Sequence, residues 1–323
     1  MLHLKESMAI AKEILFIGNG INTISSGGSW EQLLKSLHAD YFDPTLSFEE
    51  IKRKPFPLVY EQIVMWQLQK KNLRIEKELK QKIAEDVLKM KQNKAHLAIA
   101  SGNWSDIITA NYEFNLMPAG QTQLKNQGIV RETMYSVFRH FLVDQKRYWH
   151  LHGDAQNTDS INLGYEHYCG QLQRMREYVT TAYKFGKIGK SGLFDEPLLK
   201  RKYLQSKQVY SWIDFFFRDH CTIKIIGLRL NLEELDLWWL LTYRAKIMYG
   251  AVKQFKRRPV NNTVVFYIPK EYTIDPKTKK LQQEFNDKKD LLERMNVVVK
   301  VIDVKHSEAY YLEVLKDKTA NKR

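Results

Sequence analysis

Short apolar runs alternate with helical patterns along the whole chain, and this alternation constrains the fold more than any other feature. Six runs read as β-strands: residues 13–18, 106–111, 147–153, 221–227, 263–268 and 297–304. Runs such as IIG and VVFYI are apolar on both faces, which is typical of parallel strands covered by helices on both sides. The pattern predicts an α/β fold with a Rossmann-like, doubly wound parallel sheet of about six strands.

Helical periodicity fills the intervals between these runs. Apolar residues recur every fourth position over residues 74–93, one helical turn apart, and residues 233–248 form a second long apolar pattern. A short helix around residues 291–295 precedes the last predicted strand. Because the strands and helices alternate without a linker or an internal repeat, we predict one domain over residues 1–323.

Two helical segments exceed what a minimal sheet requires. We expect them to pack together as a smaller helical module over one edge of the sheet. The predicted boundaries place the Rossmann-like core at about 10–47, 94–160 and 219–305, the helical module at about 48–93 and 165–218, and a frayed tail at 315–323.

Composition excludes several classes of protein. With 44% hydrophobic and 12% aromatic residues the chain can bury a sizeable core, so wholesale disorder is excluded. No apolar stretch approaches the ~18 residues of a transmembrane helix, and the N-terminus lacks the pattern of a secretory signal. The two cysteines, Cys169 and Cys221, form no CxxC pair, so neither a zinc ribbon nor a disulfide framework is expected. A reducing cytoplasm is the predicted compartment.

The formal charge of +14 has two interpretations. One is a nucleic-acid partner, with the basic clusters at 199–202 and 256–259 as contacts. The other is that scattered lysines keep the protein in solution and that a positive cleft receives a dianionic substrate. We favour the second, because the basic residues are dispersed and no helix carries a continuous basic face.

The first predicted strand runs into a glycine turn, GNGIN, that precedes an amphipathic helix. Glycines let a backbone approach a pyrophosphate, and a helix N-terminus offers free N–H groups. However, Thr23 occupies the position of the third glycine in the dehydrogenase fingerprint, and no acidic residue ends a strand about 20 positions later. This disfavours a hydride-transferring dehydrogenase. A purely structural turn explains the same residues at least as well.

Polar residues end two neighbouring strands. Asn111 ends the second predicted strand and His152 the third, at the edge where open parallel sheets bind ligands. A carboxamide offers a donor and an acceptor, and a histidine takes a proton from a hydroxyl or a water near neutral pH. Each residue alone is ordinary, but their joint position beside a glycine turn predicts a site. His150 shares a face with His152, yet no third metal ligand is evident, so we expect no metal and treat His150 as a packing residue.

These motifs, in this order, resemble the sirtuin-like domains of bacterial NAD-hydrolysing antiviral defence proteins. The resemblance rests on GNGIN–SSGGSW, TANYE, HLHGD and IIGLRLNLEELDLWW, at four successive strand ends, and extends through SWIDFFF. It implies that Asn111 and His152 release nicotinamide from NAD. It also implies a set of NAD-binding residues: Gly18, Asn19, Gly20, Asn22, Trp30, Glu113, Gly227, Leu228, Arg229 and Glu234.

The sequence also departs from that family in ways that bear on function. Glu113 replaces the usual Asp after NY, and Arg229 stands where a small Ser or Thr is common; Arg229 has either Glu233 or Glu234 as an ion-pair partner, or a phosphate. The four-cysteine zinc module of deacetylating sirtuins is missing, which argues against protein deacetylation. The resemblance further implies the effector subunit of an abortive-infection system, a homo-oligomer, and a separately encoded partner such as an ATPase or an Argonaute-like protein.

Three other functions stay open at this stage. The chain could sense NAD or ADP-ribose without cleaving it, or serve as a nucleic-acid-associated subunit of a defence complex. It could also transfer ADP-ribose or cyclise it, because both reactions share the first step with hydrolysis and differ in the acceptor.

Overall fold

A computed structural model describes residues 12–24, 28–120, 124–129, 134–183, 194–253, 260–273 and 279–317. Within these residues seven strands form one sheet: β1 Lys12–Ile17, β2 Asp106–Thr109, β3 His140–Val143, β4 Lys146–His150, β5 Cys221–Ile226, β6 Thr263–Pro269 and β7 Val297–Ile302. The strand order is β3-β4-β2-β1-β5-β6-β7, and every neighbouring pair is parallel except β3 and β4. The chain is therefore an α/β protein with a mixed, mostly parallel sheet.

All six predicted strands are confirmed, and the prediction missed β3. This strand is a short edge strand in which Phe141 and Val143 are buried while Leu142 is exposed. It pairs with β4 through a two-residue hairpin, Asp144 and Gln145, and both residues have positive φ. Such turns are recognised in sequences by Asn-Gly or Asp-Gly, so an Asp-Gln pair gave no signal.

The described structure contains eleven α-helices, ten between the strands and one after the last strand: α1 Gly20–Thr23, α2 Trp30–Tyr41, α3 Phe48–Ile51, α4 Phe56–Gln69, α5 Ile75–Leu88, α6 Lys94–Ser101, α7 Tyr165–Thr180, α8 Asp214–Phe217, α9 Leu235–Met248, α10 Lys279–Arg294 and α11 Glu308–Lys316. The single helix predicted over 74–93 ends earlier, as α5, and Asn93 caps the separate helix α6. The short helix predicted before the last strand is in fact α10, which has 16 residues. Its first turns are polar and show no apolar periodicity, so the sequence indicated only its end. None of the helices in the described ranges is long and apolar enough to cross a membrane.

Hydrophobic cores cover both faces of the sheet. In β1, Ile14 and Phe16 join one core while Leu15 and Ile17 join the opposite one, because successive side chains of a strand point to opposite faces. All six residues of the central strand β5 are buried. The continuous apolar runs of the sequence are thus explained by burial on both sides.

The two extra helical segments contribute to different cores. Helices α3, α4 and α5 pack with α2 in a separate core, which also includes Tyr112 after β2 and Ala155, Ile161 and Leu163 after β4. Helix α7 contacts this group where Tyr60 meets the ring of His167 at 5.8 Å, but its residues Met175 and Tyr178 enter the main core over the sheet. The single helical module therefore stays a prediction about domain organisation, while the packing shows two connected groups of helices.

Candidate functional site

Asn111 and His152 lie at the same edge of the sheet. Strands β2 and β4 are parallel neighbours in which Thr109 pairs with His150. The two residues that follow each strand therefore leave the sheet side by side, and they include Asn111 and His152. The backbone N–H of Leu151 donates to the carbonyl of Thr109 at 2.9 Å and keeps the two strand ends together. Both candidate residues are nearly inaccessible to solvent.

An acidic residue that the sequence analysis did not select contacts His152. The imidazole Nε2 lies 2.9 Å from Oδ2 of Asp236, which is fully buried in the first turn of α9. Because a carboxylate only accepts hydrogen bonds, Nε2 carries a proton, and the neutral form of the ring in this tautomer has its lone pair on Nδ1. The ring of Tyr168 meets His152 edge-on at 5.1 Å. The arrangement is that of a general base oriented by a carboxylate.

A buried ion pair fixes the loop that carries His152. Arg139 donates to Oδ2 of Asp154 at 3.0 Å, and both side chains are almost completely buried. Gly153 has φ +94 and lies so close to the carbonyl of Ser160 that a side chain has no space there. These contacts leave the loop little freedom, so His152 keeps its orientation towards Asp236.

The carboxamide of Asn111 has one engaged end and one open end. Its Nδ2 donates to Oε1 of Glu113 at 3.3 Å, while its buried Oδ1 has no hydrogen-bond partner among the described residues. The Asn111 carbonyl lies 3.0 Å from Nδ1 of His150, and burial lowers the pKa of that histidine to about 4. His150 thus supports the backbone of Asn111. The open Oδ1 is an acceptor available to a hydroxyl, an amide or a water.

A network of amide groups connects the glycine turn with Glu113. Asn22 donates from Nδ2 to Oδ1 of Asn19 at 2.9 Å, and its own Oδ1 lies 3.1 Å from Nε2 of His96. Burial raises the pKa of Glu113, and hydrogen bonds from Asn22 and Asn111 oppose that shift. Burial also lowers the pKa of His96 to about 4. Five side chains from three separate parts of the chain are therefore held in one polar cluster.

A small pocket lies beside this cluster and encloses about 10 Å³, room for about one water molecule. It brings together four residues that the resemblance implied, Asn19, Trp30, Asn111 and Glu113, and the remaining lining is Gly28, Ser29, Leu33, Val87, Met90 and Tyr112. The ring of Trp30 meets Tyr112 edge-on at 5.3 Å. Within the described residues, His152 is not part of this lining.

The two glycines after β1, which were predicted to bind phosphate, form hydrogen bonds with the turn after β5. Gly18 N donates to the carbonyl of Ile226 at 2.9 Å, and Gly20 N donates to that of Gly227 at 2.8 Å. A Cβ on Gly18 would lie 2.5 Å from the Gly227 oxygen, which no real side chain tolerates. Close packing of the β1 and β5 turns is therefore sufficient to require these glycines, and their contact with a pyrophosphate stays a prediction. Residues 25–27 of the same motif lie outside the described structure.

The other predicted NAD-binding residues, Leu228, Arg229 and Glu234, follow the β5 turn. Leu228 packs into the main core, whereas Arg229 is exposed and lies over the ring of Tyr272 at 5.5 Å. In the described structure Arg229 forms no ion pair with either neighbouring glutamate. Glu234 accepts from the backbone N–H of Asn231 at 2.7 Å, and burial, with the nearby charge of Asp236, raises the pKa of Glu234 to about 8.

No group of three or more His, Cys, Asp or Glu side chains in the described ranges is arranged to hold a metal ion. A comparison with protein-family models gives no match, and neither does a comparison with curated proteins. What the site can do therefore has to be argued from its own geometry.

The signal for Asp236 was present in the sequence. The residue lies in the first turn of the apolar helix that follows the IIG strand end, where an acidic side chain points back towards the carboxyl edge of a parallel sheet. Glu234, the acidic residue predicted to bind NAD, belongs to the same EELD stretch. The one buried carboxylate that contacts His152 lies two residues further on.

Proposed function

We propose that this protein is an NAD glycohydrolase that cleaves NAD to nicotinamide and ADP-ribose. The observation that carries the proposal is the buried contact of His152 with Asp236. It lies at the same edge of the sheet as Asn111, whose Oδ1 has no hydrogen-bond partner among the described residues. The open, mostly parallel sheet supports it, since ligands of doubly wound, Rossmann-like folds bind at the carboxyl ends of the strands.

The chemistry of the glycosidic bond suits these residues. Nicotinamide leaves as a neutral molecule with the bonding electron pair, so no acid has to protonate it, and positive charge develops on the ribose. A water adds to the anomeric carbon and loses one proton. We assign that proton to Nδ1 of His152, and the open Oδ1 of Asn111 accepts a hydrogen bond from a ribose hydroxyl or the water. Asp236 stabilises the imidazolium as it forms.

The size of the pocket limits how the substrate enters. The space enclosed beside Asn111 has room for about one water molecule, whereas sites for small ligands enclose roughly 300–1,000 Å³, so the pocket has to widen before a dinucleotide binds. We propose that the nicotinamide riboside half enters this pocket and that the adenosine half lies along the β1 and β5 turns, near Gly227 and Arg229. Because His152 lies outside this pocket, the proposal requires Tyr112 and the pocket wall to move apart when NAD binds.

A second candidate is an NAD or ADP-ribose sensor without catalytic activity. Two observations favour it: Glu113 occupies the Nδ2 of Asn111, and His152 lies outside the pocket lining. Calorimetry separates the two functions. Tight binding of NAD without release of nicotinamide identifies a sensor, whereas turnover identifies the hydrolase.

The proposed biological role is that of an antiviral effector in the cytoplasm that acts as a homo-oligomer with a separate activating partner. Direct nucleic-acid binding is less well supported, because Arg201 in the basic cluster 199–202 is buried and donates to the carbonyls of Glu196 and Tyr178 at 2.7 and 2.8 Å. The cluster at 256–259 lies outside the described residues. Binding of DNA or RNA that weakens steeply with salt would favour the nucleic-acid alternative.

The test is to incubate purified protein with NAD and to follow nicotinamide by chromatography, together with the ribosyl product. We expect nicotinamide and ADP-ribose from the wild-type protein, and loss of both with Asn111→Ala and with His152→Ala. Cyclic ADP-ribose or a modified protein in place of ADP-ribose would identify the cyclase or the transferase. Release that continues unchanged in both variants would refute the assignment.

A further inference from the structure

A buried hydrogen bond holds the wall of the pocket beside Asn111 in its closed position. The hydroxyl of Tyr112, which lines the pocket, donates to the backbone carbonyl of Asn162 at 2.6 Å. Tyr112 is 1% exposed, and its ring meets the ring of Trp30 edge-on at 5.3 Å. These two contacts keep the tyrosine where the pocket has room for about one water molecule.

The residue that accepts this hydrogen bond also contacts the backbone of the proposed base. The N–H of Asn162 donates to the carbonyl of His152 at 2.9 Å. Asn162 therefore joins the wall of the pocket to the loop that carries His152. Separation of Tyr112 from Asn162 opens the pocket on the side of this loop.

The backbone of Tyr112 is fixed, so the opening is a movement of the side chain. The N–H of Ala155 donates to the carbonyl of Tyr112 at 2.9 Å, and the neighbouring Asp154 is held by its ion pair with Arg139. Neither contact involves the tyrosine hydroxyl. Rotation of the tyrosine ring therefore breaks the hydrogen bond to Asn162 and leaves the loop in place.

We propose that the hydrogen bond between Tyr112 and Asn162 is an autoinhibitory contact, which keeps the resting protein closed to its dinucleotide. This inference rests on the proposed function, because it names what regulates the same site. The closed pocket is far smaller than the roughly 300–1,000 Å³ that a small-molecule site encloses, so only the open state binds. The apparent affinity is then reduced by the fraction of molecules that are open, and weakening of the contact raises it.

Tyr112→Phe tests the contact because it removes the hydroxyl and keeps the ring. The closed state then buries the Asn162 carbonyl without its donor, whereas the open state loses little, since water solvates the hydroxyl there. We expect the open population to rise by about three- to tenfold, with kcat/KM for NAD rising by the same factor and kcat near the wild-type value. A tyrosine that only stabilises the fold predicts no gain in activity.

Thiol labelling measures the opening without NAD. Val87 lines the pocket and is 4% exposed, whereas the exposed Cys169 is removed beforehand by Cys169→Ser. In a parent protein that carries Val87→Cys, an aromatic disulfide reagent reaches the new thiol when the pocket opens. Tyr112→Phe should speed this reaction by about three- to tenfold. Met90→Cys, at a second position of the lining, gives the same readout if Val87→Cys does not fold.

Tyr310→Phe is the matched control. Tyr310 is fully buried, and its hydroxyl donates to the backbone carbonyl of Tyr267 at 2.8 Å. Tyr267 lies in β6, which β1 and β5 separate from β2 and the pocket. Both variants remove a buried hydroxyl that binds a main-chain carbonyl, so we expect similar losses of unfolding free energy in urea. Only Tyr112→Phe should speed labelling and raise kcat/KM.

The two readouts separate the autoinhibitory contact from the proposed function. Equal labelling rates in Tyr112→Phe and its parent, or equal acceleration in Tyr112→Phe and Tyr310→Phe, would overturn the contact whatever the rate of nicotinamide release. Faster labelling in Tyr112→Phe alone, with no nicotinamide released by parent or variant, would support the contact and overturn the hydrolase. Faster labelling together with a higher kcat/KM in Tyr112→Phe alone would support both.

Discussion

Replacement of Asp236 by Asn tests the orientation of His152 with a minimal change of shape. Asp236 is fully buried, its Oδ2 lies 2.9 Å from Nε2 of His152, and its Oδ1 accepts from the backbone N–H of Leu237 at 2.9 Å. Asn fills the same volume and keeps one acceptor. It removes the negative charge that stabilises the imidazolium when His152 takes a proton.

The size of the effect follows from the contact distance. Two unit charges roughly 4 Å apart interact by about 4 kcal/mol at an effective dielectric constant near 20. Because the imidazolium forms only as the reaction proceeds, this energy is lost from the transition state and not from the ground state. It corresponds to about a 10³-fold decrease in kcat with little change in KM.

The assay is the initial rate of nicotinamide release from NAD, with urea unfolding to confirm that Asp236→Asn is folded. Glu233→Gln is the matched control, since it replaces another acidic residue of the same segment, and no hydrogen bond or ion pair joins Glu233 to His152 in the described structure. We expect a near-normal rate for this control. A rate of Asp236→Asn within about threefold of the wild type would refute the role of His152 as an oriented base, because a general base typically contributes at least ~10²-fold.

Further predictions concern stability. Arg139→Ala leaves the charge of Asp154 buried without its partner, so we expect urea denaturation to show a loss of about 3–5 kcal/mol. Burial lowers the pKa of His150 from 6.5 to about 4. Between these two values the unfolded chain binds a proton at His150 that the folded protein does not bind. The free energy of unfolding therefore decreases as the pH falls from 6.5 to about 4. At pH 5 this cost is about 2 kcal/mol, and His150→Gln should lose that much less than the wild type between pH 7 and pH 5. Gly227→Ala should lower the melting temperature clearly, because φ is +68 and the new methyl group would lie 2.5 Å from the Tyr311 hydroxyl; an unchanged value would contradict the packing of the turns.

The fold was largely predictable because its strands are buried on both faces. A strand such as β5, with all six residues buried, appears in the sequence as a continuous apolar run and cannot be mistaken for a solvated loop. The edge strand β3 has one exposed face and a hairpin without glycine, so it lacked both signals. Helix α10 was underestimated because few of its side chains are buried.

The site was predictable only where position on a strand determines geometry. Asn111 and His152 could be placed at one edge, because parallel neighbours in register bring their ends together. Asp236 lies 84 positions from His152 along the chain and reaches it only through the packing of α9 on the sheet. A local pattern places Asp236 at the start of α9, near the edge of the sheet, but does not identify His152 as its partner.

The central claim is that Asn111 and His152 act together on one bond of NAD, and a double-mutant cycle on nicotinamide release tests it most directly. If both side chains serve the same transition state, Asn111→Ala and His152→Ala each abolish most of the rate. The double variant is then no slower than the worse single variant, since residues that act as a unit are not additive. Rates that multiply independently in the double variant, or a wild-type rate that neither substitution lowers, would contradict the account.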